Sequence, residues 1–189
     1  MSTPLIRPAR LEDAAFLVPL INRATEGLTE TFWADLAEPG QDLWEYGLQR
    51  VQDENSGISY TNTWVAEWEA TAAGCLIMHQ IAETPEPVDP SVPPMFLPLL
   101  ELENQAPGTG YIFVVATLAE KSSHGIGSAL LKFAESNKGP NGNSLIVADN
   151  NIRAHALYQR LGYQDVSSKK MVKGNWQSNG ENWILMIKP

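Results

Sequence analysis

Two short segments of the sequence combine residue types that suit chemistry. The first, EKSSHGIGSALLKF (120–133), places Gly125 and Gly127 directly before an apolar helical pattern. The first turn of a helix leaves its N–H groups unpaired and carries partial positive charge, and glycines let a ligand approach the backbone closely. Such a loop therefore fits a phosphate group. Taken alone, the glycines are equally typical of a plain turn between a strand and a helix.

The second segment, NIRAHALYQRLGY (151–163), has the periodicity of a helix that ends at Gly162. Asn151 stands where an N-cap residue would accept a backbone N–H. Ala154, Leu157, Tyr158 and Leu161 share the face that would turn inward. By itself, Tyr158 is typical of a half-buried core tyrosine.

The elements before these segments predict a strand at residues 3–7 and helices over 11–24 and 41–54. Pro19 is expected to kink or split the first helix. Two β-prone runs, Thr63–Trp68 and Gly74–Ile81, predict a hairpin, although its turn has no Asn-Gly pair. Next we expect a proline-rich loop at 82–94 and a short helix at 94–104. Its apolar run at 95–100 fits a pocket lid, an interface or packing.

The glycine loop follows YIFVVATL (111–118), whose lack of charge predicts a central strand buried on both faces. A helix, a strand at 144–148 and the 151–163 helix come next. MVK (171–173) and NWILMIK (182–188) are expected to be the last strands. The alternation of strands and helices predicts a mixed α/β sheet that is partly parallel.

Composition limits the classes of protein to consider. The 189 residues carry a net charge of −9 and one cysteine, Cys75, which excludes an internal disulfide and a four-thiolate metal site. We see no run of Lys and Arg for nucleic-acid binding and no apolar stretch of about 20 residues for a membrane span. His79 and His155 lack metal-ligand spacing. We expect a cytoplasmic protein with no metal, no nucleic-acid partner and no membrane partner.

Together, the two segments resemble the GNAT superfamily of acyl-CoA-dependent N-acyltransferases. Its pyrophosphate loop reads Q/R-x-x-G-x-G/A, and its following helix reads N-x-x-A-x-x-L-Y-x-x-x-G-F/Y. The match covers residues 111–163. The resemblance implies one GNAT-like domain over residues 1–189, with 82–105 as an insertion. It also implies a mixed central sheet with splayed central strands flanked by helices.

The resemblance also implies residue roles. The backbone of Val115 and Thr117 would bond the pantetheine arm of the acyl-CoA, and Asn151 would contact that arm. Tyr158 would face the sulfur and protonate the leaving thiolate, a role that suits a phenol with a pKa near 10. The pyrophosphate would lie on the N–H groups of Ser122, Ser123, His124, Gly125, Ile126, Gly127 and Ser128.

This sequence departs from the family pattern at two positions. Ser122 stands where the family has Gln or Arg, so the backbone must hold the pyrophosphate unless Lys121 or His124 supplies the charge. Tyr111 stands where histone-acetylating members have a glutamate base. Candidate bases are carboxylates close to the strands, although such residues are more commonly solvated surface carboxylates. A base acting through a water molecule, or an amine that arrives neutral, would serve as well. These candidates are Glu67, Glu101 and Glu103.

The leading hypothesis is transfer of an acetyl group from acetyl-CoA to a primary amine of a small molecule or peptide N-terminus. The amine would attack directly within a ternary complex, without an acyl-cysteine at Cys75. The alternative is an acyl-CoA-binding module with impaired catalysis and a sensing or regulatory role. A nucleotide-dependent oxidoreductase is a third hypothesis, but Leu130 replaces the last glycine of a G-x-G-x-x-G motif. A homodimer is compatible with the 95–100 run.

Overall fold

The computed structural model describes residues 3–89 and 91–189. Over these residues the chain forms seven strands and six α-helices. The strands are β1 Leu5–Pro8, β2 Thr63–Trp68, β3 Thr71–Gln80, β4 Gly110–Thr117, β5 Asn143–Ala148, β6 Gln164–Lys170 and β7 Asn182–Lys188. The helices are α1 Ala14–Ala24, α2 Leu28–Leu36, α3 Leu43–Gln52, α4 Leu97–Glu103, α5 Ile126–Ser136 and α6 Ile152–Arg160. Short 3₁₀ turns occupy Leu11–Asp13, Tyr60–Asn62, Pro94–Phe96 and Ala119–Lys121.

The strands form one seven-stranded sheet in the order β1-β2-β3-β4-β5-β7-β6. Strands β4 and β5 are parallel, whereas β1–β2, β2–β3, β5–β7 and β6–β7 pair antiparallel. The β4–β5 ladder joins Gly110–Ile112 to Asn143–Leu145, and both strands continue beyond it. The mixed α/β fold with a central 111–118 strand is therefore confirmed.

Contacts divide the chain into two compact units. The first unit contains the residues up to Met78 together with Val114–Phe133. The second unit contains His79–Phe113 together with Ala134–Pro189.

The core of the first unit contains a helix that the sequence analysis missed. Helix α2 carries Trp33, which is only 1% exposed and packs with Leu17, Ile21 and Val51. Gly47 of α3 makes room for this indole, because a Cβ there would lie 2.5 Å from the Trp33 ring. Gly27, in the left-handed conformation with φ of 81°, is the N-cap of α2, which begins at Leu28, four residues after α1 ends. This short separation hid the helical periodicity of α2 in the sequence.

Two local predictions in the first unit have different outcomes. Helix α1 runs through Pro19 as one element, so Pro19 does not split it, and the kink stays a prediction. Apolar burial on both sides of Pro19 outweighs the one lost hydrogen bond. The hairpin prediction is confirmed, with Trp68 paired to Thr71. Its turn residues, Glu69 and Ala70, both have positive φ, as a two-residue hairpin turn of the right twist requires.

The second unit corrects the position of one predicted strand. We expected a strand at MVK, but β6 occupies Gln164–Lys170 and ends just before Met171. It is an edge strand paired only with β7, so most of its side chains are polar and exposed. A bulge between Asp165 and Ser167 further interrupts the alternation on which the prediction relied.

The short helix of the second unit is confirmed as α4, with a 3₁₀ turn before it. Its apolar run at 95–100 is buried or half-buried, so packing is one of its roles, and the pocket lid and the interface stay predictions. Met95 is 7% exposed and Leu102 is fully buried. The homodimer stays a prediction.

Candidate functional site

The glycine loop of the first unit has the geometry that a phosphate cradle needs. Gly125 has φ of 77° and directly precedes α5, and Ser123 also lies in the left-handed region with φ of 67°. The first N–H groups of α5 have no acceptor within the helix; they belong to Gly125, Ile126, Gly127 and Ser128. No atom lies within 4 Å of a Cβ built at Gly125, so the space on that side of the glycine is open. The loop therefore presents unpaired N–H groups next to open space.

His124 lies folded back on the same loop. Its Nδ1 donates to the carbonyls of Ser122 and Lys121 at 3.0 and 3.2 Å. Its ring packs edge-to-face with the Trp68 ring, with ring centroids 5.4 Å apart. This bonding places the proton on Nδ1 and leaves Nε2 pointing away from the backbone. Lys121 lies 4.0 Å from Glu69, at the limit of an ion pair. Of the two side chains named as replacements for the charge missing at Ser122, His124 is thus the one bound to the loop.

The end of β4 in the first unit carries a feature that the sequence analysis missed. The guanidinium of Arg23, at the end of α1, donates to the carbonyl of Thr117. This brings a cation to the strand end immediately before the loop. Val115 and Thr117 are half-buried, whereas their neighbours Val114 and Ala116 lie in the core. No sequence signal links residues so far apart in the chain.

Helix α6 of the second unit carries the other predicted site residues. The side chain of Asn151 accepts the N–H of Ala154 at 3.2 Å, which confirms it as the N-cap. Tyr158 is half-buried and packs edge-to-face with Tyr163, with ring centroids 6.0 Å apart. Although part of Tyr158 reaches solvent, desolvation by the surrounding protein raises its pKa to about 12. At neutral pH this phenol is therefore a proton carrier and a hydrogen-bond donor.

The three candidate carboxylates have different surroundings. In the first unit, Glu67 accepts the Nε of Arg7 at 2.6 Å. In the second unit, Glu101 pairs with Lys169 at 2.5 Å. Glu103 is half-buried, and desolvation raises its pKa to about 7.

Two further reactive side chains have structural surroundings. His155 contacts Asp165 with its Nε2 2.8 Å from Oδ1, in agreement with a structural role. Cys75 is fully buried, which confirms it as a core residue, and desolvation raises its pKa to about 12. A thiol in that state is a poor nucleophile. Within the described ranges no three His, Cys, Asp or Glu side chains gather as a metal site would require.

A family model decides the identity of this fold. The model of the Acetyltransferase (GNAT) family matches residues 25–163. The chain belongs to the GNAT family of acetyltransferases. This membership and the fold indicate acyl transfer from an acyl-CoA. None of the helices described is long and apolar enough to cross a membrane.

Solved GNAT-like structures share the fold at low sequence identity. An N-acetyltransferase from Staphylococcus aureus superposes with a TM-score of 0.65 at 20% identity, covering 97% of this chain and 100% of that one. Arabidopsis thaliana Naa50, solved with the bisubstrate analogue CoA-Ac-MVNAL, superposes with a TM-score of 0.58 at 16% identity, covering 100% of this chain and 99% of that one. The ribosomal-protein-S18-alanine N-acetyltransferase of Escherichia coli superposes with a TM-score of 0.57 at 17% identity, covering 97% of this chain and 92% of that one. No curated protein sequence matches this GNAT chain significantly.

Proposed function

We propose that this protein transfers an acetyl group from acetyl-CoA to a primary amine by direct attack of the amine on the thioester. The observation that carries the proposal is the succession of β4, the glycine loop, α5 and the Asn151-capped helix that holds Tyr158. Family membership supports acyl-CoA as the donor.

The first unit supplies the groups proposed to hold the donor. The N–H groups from Ser122 to Ser128 bind the pyrophosphate, and the backbone of Val115 and Thr117 bonds the pantetheine arm. Because the Thr117 carbonyl already accepts from Arg23, only its second lone pair is available for the arm. The backbone amides carry most of the phosphate binding, because Ser122 brings no charge.

The second unit supplies the group proposed to assist the leaving thiolate. Tyr158 donates its hydroxyl proton toward the sulfur as the C–S bond breaks. Since its pKa of about 12 exceeds the ordinary pKa of a thiol, the chief effect is a hydrogen bond to the developing thiolate. Solvent then completes the protonation. Asn151, which caps α6, contacts the pantetheine arm with its amide NH₂ group.

The proposed acceptor is a small amine or a peptide N-terminus. The neighbouring structures include Naa50 with a CoA–peptide analogue and an enzyme named for an alanine of a ribosomal protein. The net charge of −9 suits the approach of a cationic ammonium group.

Calorimetric titration of acetyl-CoA, with NAD as a control ligand, tests the donor site. We expect binding of acetyl-CoA and none of NAD. Thiol release is then followed with acetyl-CoA and a panel of a free α-amino pentapeptide Met-Val-Asn-Ala-Leu, spermidine and free amino acids. Turnover on one of these amines supports the proposal, and absence of acetyl-CoA binding at millimolar concentration refutes it.

A second candidate is an acyl-CoA-binding module without catalysis. Ser122 in the loop and Tyr111 on β4, where histone-acetylating relatives have a glutamate, favour it. The same two experiments separate the candidates, because the module predicts acetyl-CoA binding without turnover on the amine panel.

A further inference from the structure

Arg23, in the last turn of α1, places a cation beside the strand that is proposed to hold the donor. Its Nη2 donates a hydrogen bond to the carbonyl of Thr117, the last residue of β4. Both residues belong to the first unit, although 94 positions separate them in the chain. Desolvation raises the pKa of Cys75 on β3 to about 12, and the charge of Arg23 opposes this rise. The guanidinium therefore lies close to both strands.

The carbonyl that Arg23 binds lies on the edge of β4 that faces away from β3. A Cβ built at Gly74 of β3 would lie 2.7 Å from the carbonyl oxygen of Ala116, so that carbonyl points toward β3. Backbone groups of successive residues in a strand point to opposite edges, so those of Val115 and Thr117 point away from β3. Arg23 therefore reaches the edge that is proposed to bond the pantetheine arm.

Thr117 also lies against the first turn of α5. A Cβ built at Gly127 would lie 3.9 Å from Cγ2 of Thr117. A Cβ built at Gly74 would lie 3.3 Å from the same Cγ2 and 3.1 Å from Cγ2 of Ile126, so both side chains pack at one point. The residue that holds the Arg23 guanidinium is thus adjacent to residues whose N–H groups are proposed to bind the pyrophosphate.

The guanidinium of Arg23 keeps most of its hydrogen-bonding capacity. An arginine has five N–H donors in one plane, and the bond to Thr117 uses one of them. None of the ion pairs formed within residues 3–89 and 91–189 includes Arg23. The side chain is exposed, so an anion at the loop has access to the remaining donors. Pairs of these donors match two oxygens of a phosphate group.

Two further basic side chains at the loop have other partners. Nζ of Lys121 lies 4.0 Å from the carboxylate of Glu69. Nδ1 of His124 donates to two backbone carbonyls of the loop, and Ser122 carries no charge. The net charge of −9 on the whole chain opposes the approach of a polyphosphate. A cation with free donors at the loop would offset this repulsion, and Arg23 is such a cation.

We propose that Arg23 is a donor-binding residue that gives the pyrophosphate of the acyl-CoA the charge missing at Ser122. The inference rests on the proposed function. The carbonyl of Thr117 accepts one N–H of the guanidinium and fixes the side chain at the loop, and other N–H groups donate to phosphate oxygens. Such charge-assisted bonds are stronger than bonds from neutral backbone amides. Arg23 thus favours thioesters that carry phosphate groups over thioesters that lack them.

Calorimetric titration of acetyl-CoA compares Arg23→Gln with the unaltered protein. Glutamine still donates hydrogen bonds but has no charge. We expect the dissociation constant to rise about 10-fold or more in Arg23→Gln. Arg23→Lys, which keeps the charge without the planar donor pair, should give a smaller rise.

Arg50→Gln is the matched control. Arg50 also lies in the last turn of a helix of the first unit, α3, so its loss has the same effect on a helix terminus. Its ion pair is with Asp53, three residues further along the chain. This variant should change the acetyl-CoA dissociation constant about twofold at most.

Two comparisons separate the charge of Arg23 from a structural role. Raising the salt concentration from about 0.05 M to about 0.5 M should weaken acetyl-CoA binding to the unaltered protein more than to Arg23→Gln, because salt screens exposed charges. Acetyl-pantetheine, which has the thioester and the arm but no phosphate, is titrated as a competitor of acetyl-CoA. It should bind both proteins with affinities within about twofold of each other. If Arg23 only positioned the Thr117 carbonyl, Arg23→Gln would weaken both thioesters alike and keep the salt dependence.

The outcomes separate this inference from the function on which it rests. Acetyl-CoA affinity of Arg23→Gln within about twofold of the unaltered protein, or an equal loss for both thioesters, overturns the role of Arg23 alone. Absence of acetyl-CoA binding to the unaltered protein at millimolar concentration overturns the proposed function and the role of Arg23 together.

Discussion

The glycine loop of the first unit and the side chains of Glu103 and Tyr158 in the second unit offer chemical groups from different parts of the chain. The loop offers backbone N–H groups whose direction depends on positive φ at Ser123 and Gly125. Glu103 and Tyr158 offer side chains whose pKa values are raised by desolvation. A backbone device tolerates side-chain replacement, so the proposed cradle is compatible with Ser122 where the family has Gln or Arg. A side-chain device does not tolerate it.

Tyr158→Phe gives the largest expected effect, because it removes the only hydroxyl proposed to meet the leaving thiolate. We expect kcat to fall about 10²-fold or more, while the dissociation constant of acetyl-CoA stays within about twofold. Steady-state thiol release and calorimetry measure the two quantities. Tyr163→Phe, which changes the ring packed against Tyr158, is the control. A fall of the same size in the control would show that Tyr158 acts through packing.

Gly125→Glu is the corresponding change in the loop, and its effect should appear in binding. A side chain at φ of 77° is strained by roughly 1 kcal/mol, and the carboxylate would repel a pyrophosphate. We expect the acetyl-CoA dissociation constant to rise about 10-fold or more, and that of Ser122→Ala to change about twofold at most. Gly57→Ala, at a glycine with ordinary φ and open surroundings, should change nothing. Equal small effects at positions 122 and 125 would make the loop a plain turn.

The same contrast explains what could be predicted from the sequence. Glycine spacing, helix periods and an uncharged strand are local signals, and they placed β4, the loop, α5 and α6 correctly. The desolvation of Glu103 and the Arg23–Thr117 bond both depend on contacts between separate elements, so no pattern within one segment specifies them. Glu103 appeared only as one of three equivalent carboxylates. Distinguishing it required knowing that Glu67 and Glu101 have cationic partners.

Glu103→Gln should also reveal a stability difference that the loop does not have. Because folding raises the pKa of Glu103 from 4.5 to about 7, the folded state holds this proton more tightly than the unfolded state. The carboxylate therefore destabilises the fold at pH 8, and the destabilisation fades as pH falls toward 4.5. Glutamine stays neutral throughout. The gain in unfolding free energy from Glu103→Gln should be about 1–2 kcal/mol larger at pH 8 than at pH 4.5, after allowance for partial exposure.

Urea unfolding of the full chain at the two pH values measures this difference. Glu101→Gln is the matched control, because it removes an exposed ion pair with Lys169 and should lower stability by at most about 1 kcal/mol at pH 8. If Glu103→Gln changes the unfolding free energy by the same amount at pH 8 and at pH 4.5, the carboxylate is ionised without penalty. Glu103 would then be no better a proton acceptor than a surface glutamate, and the contrast with the loop would disappear.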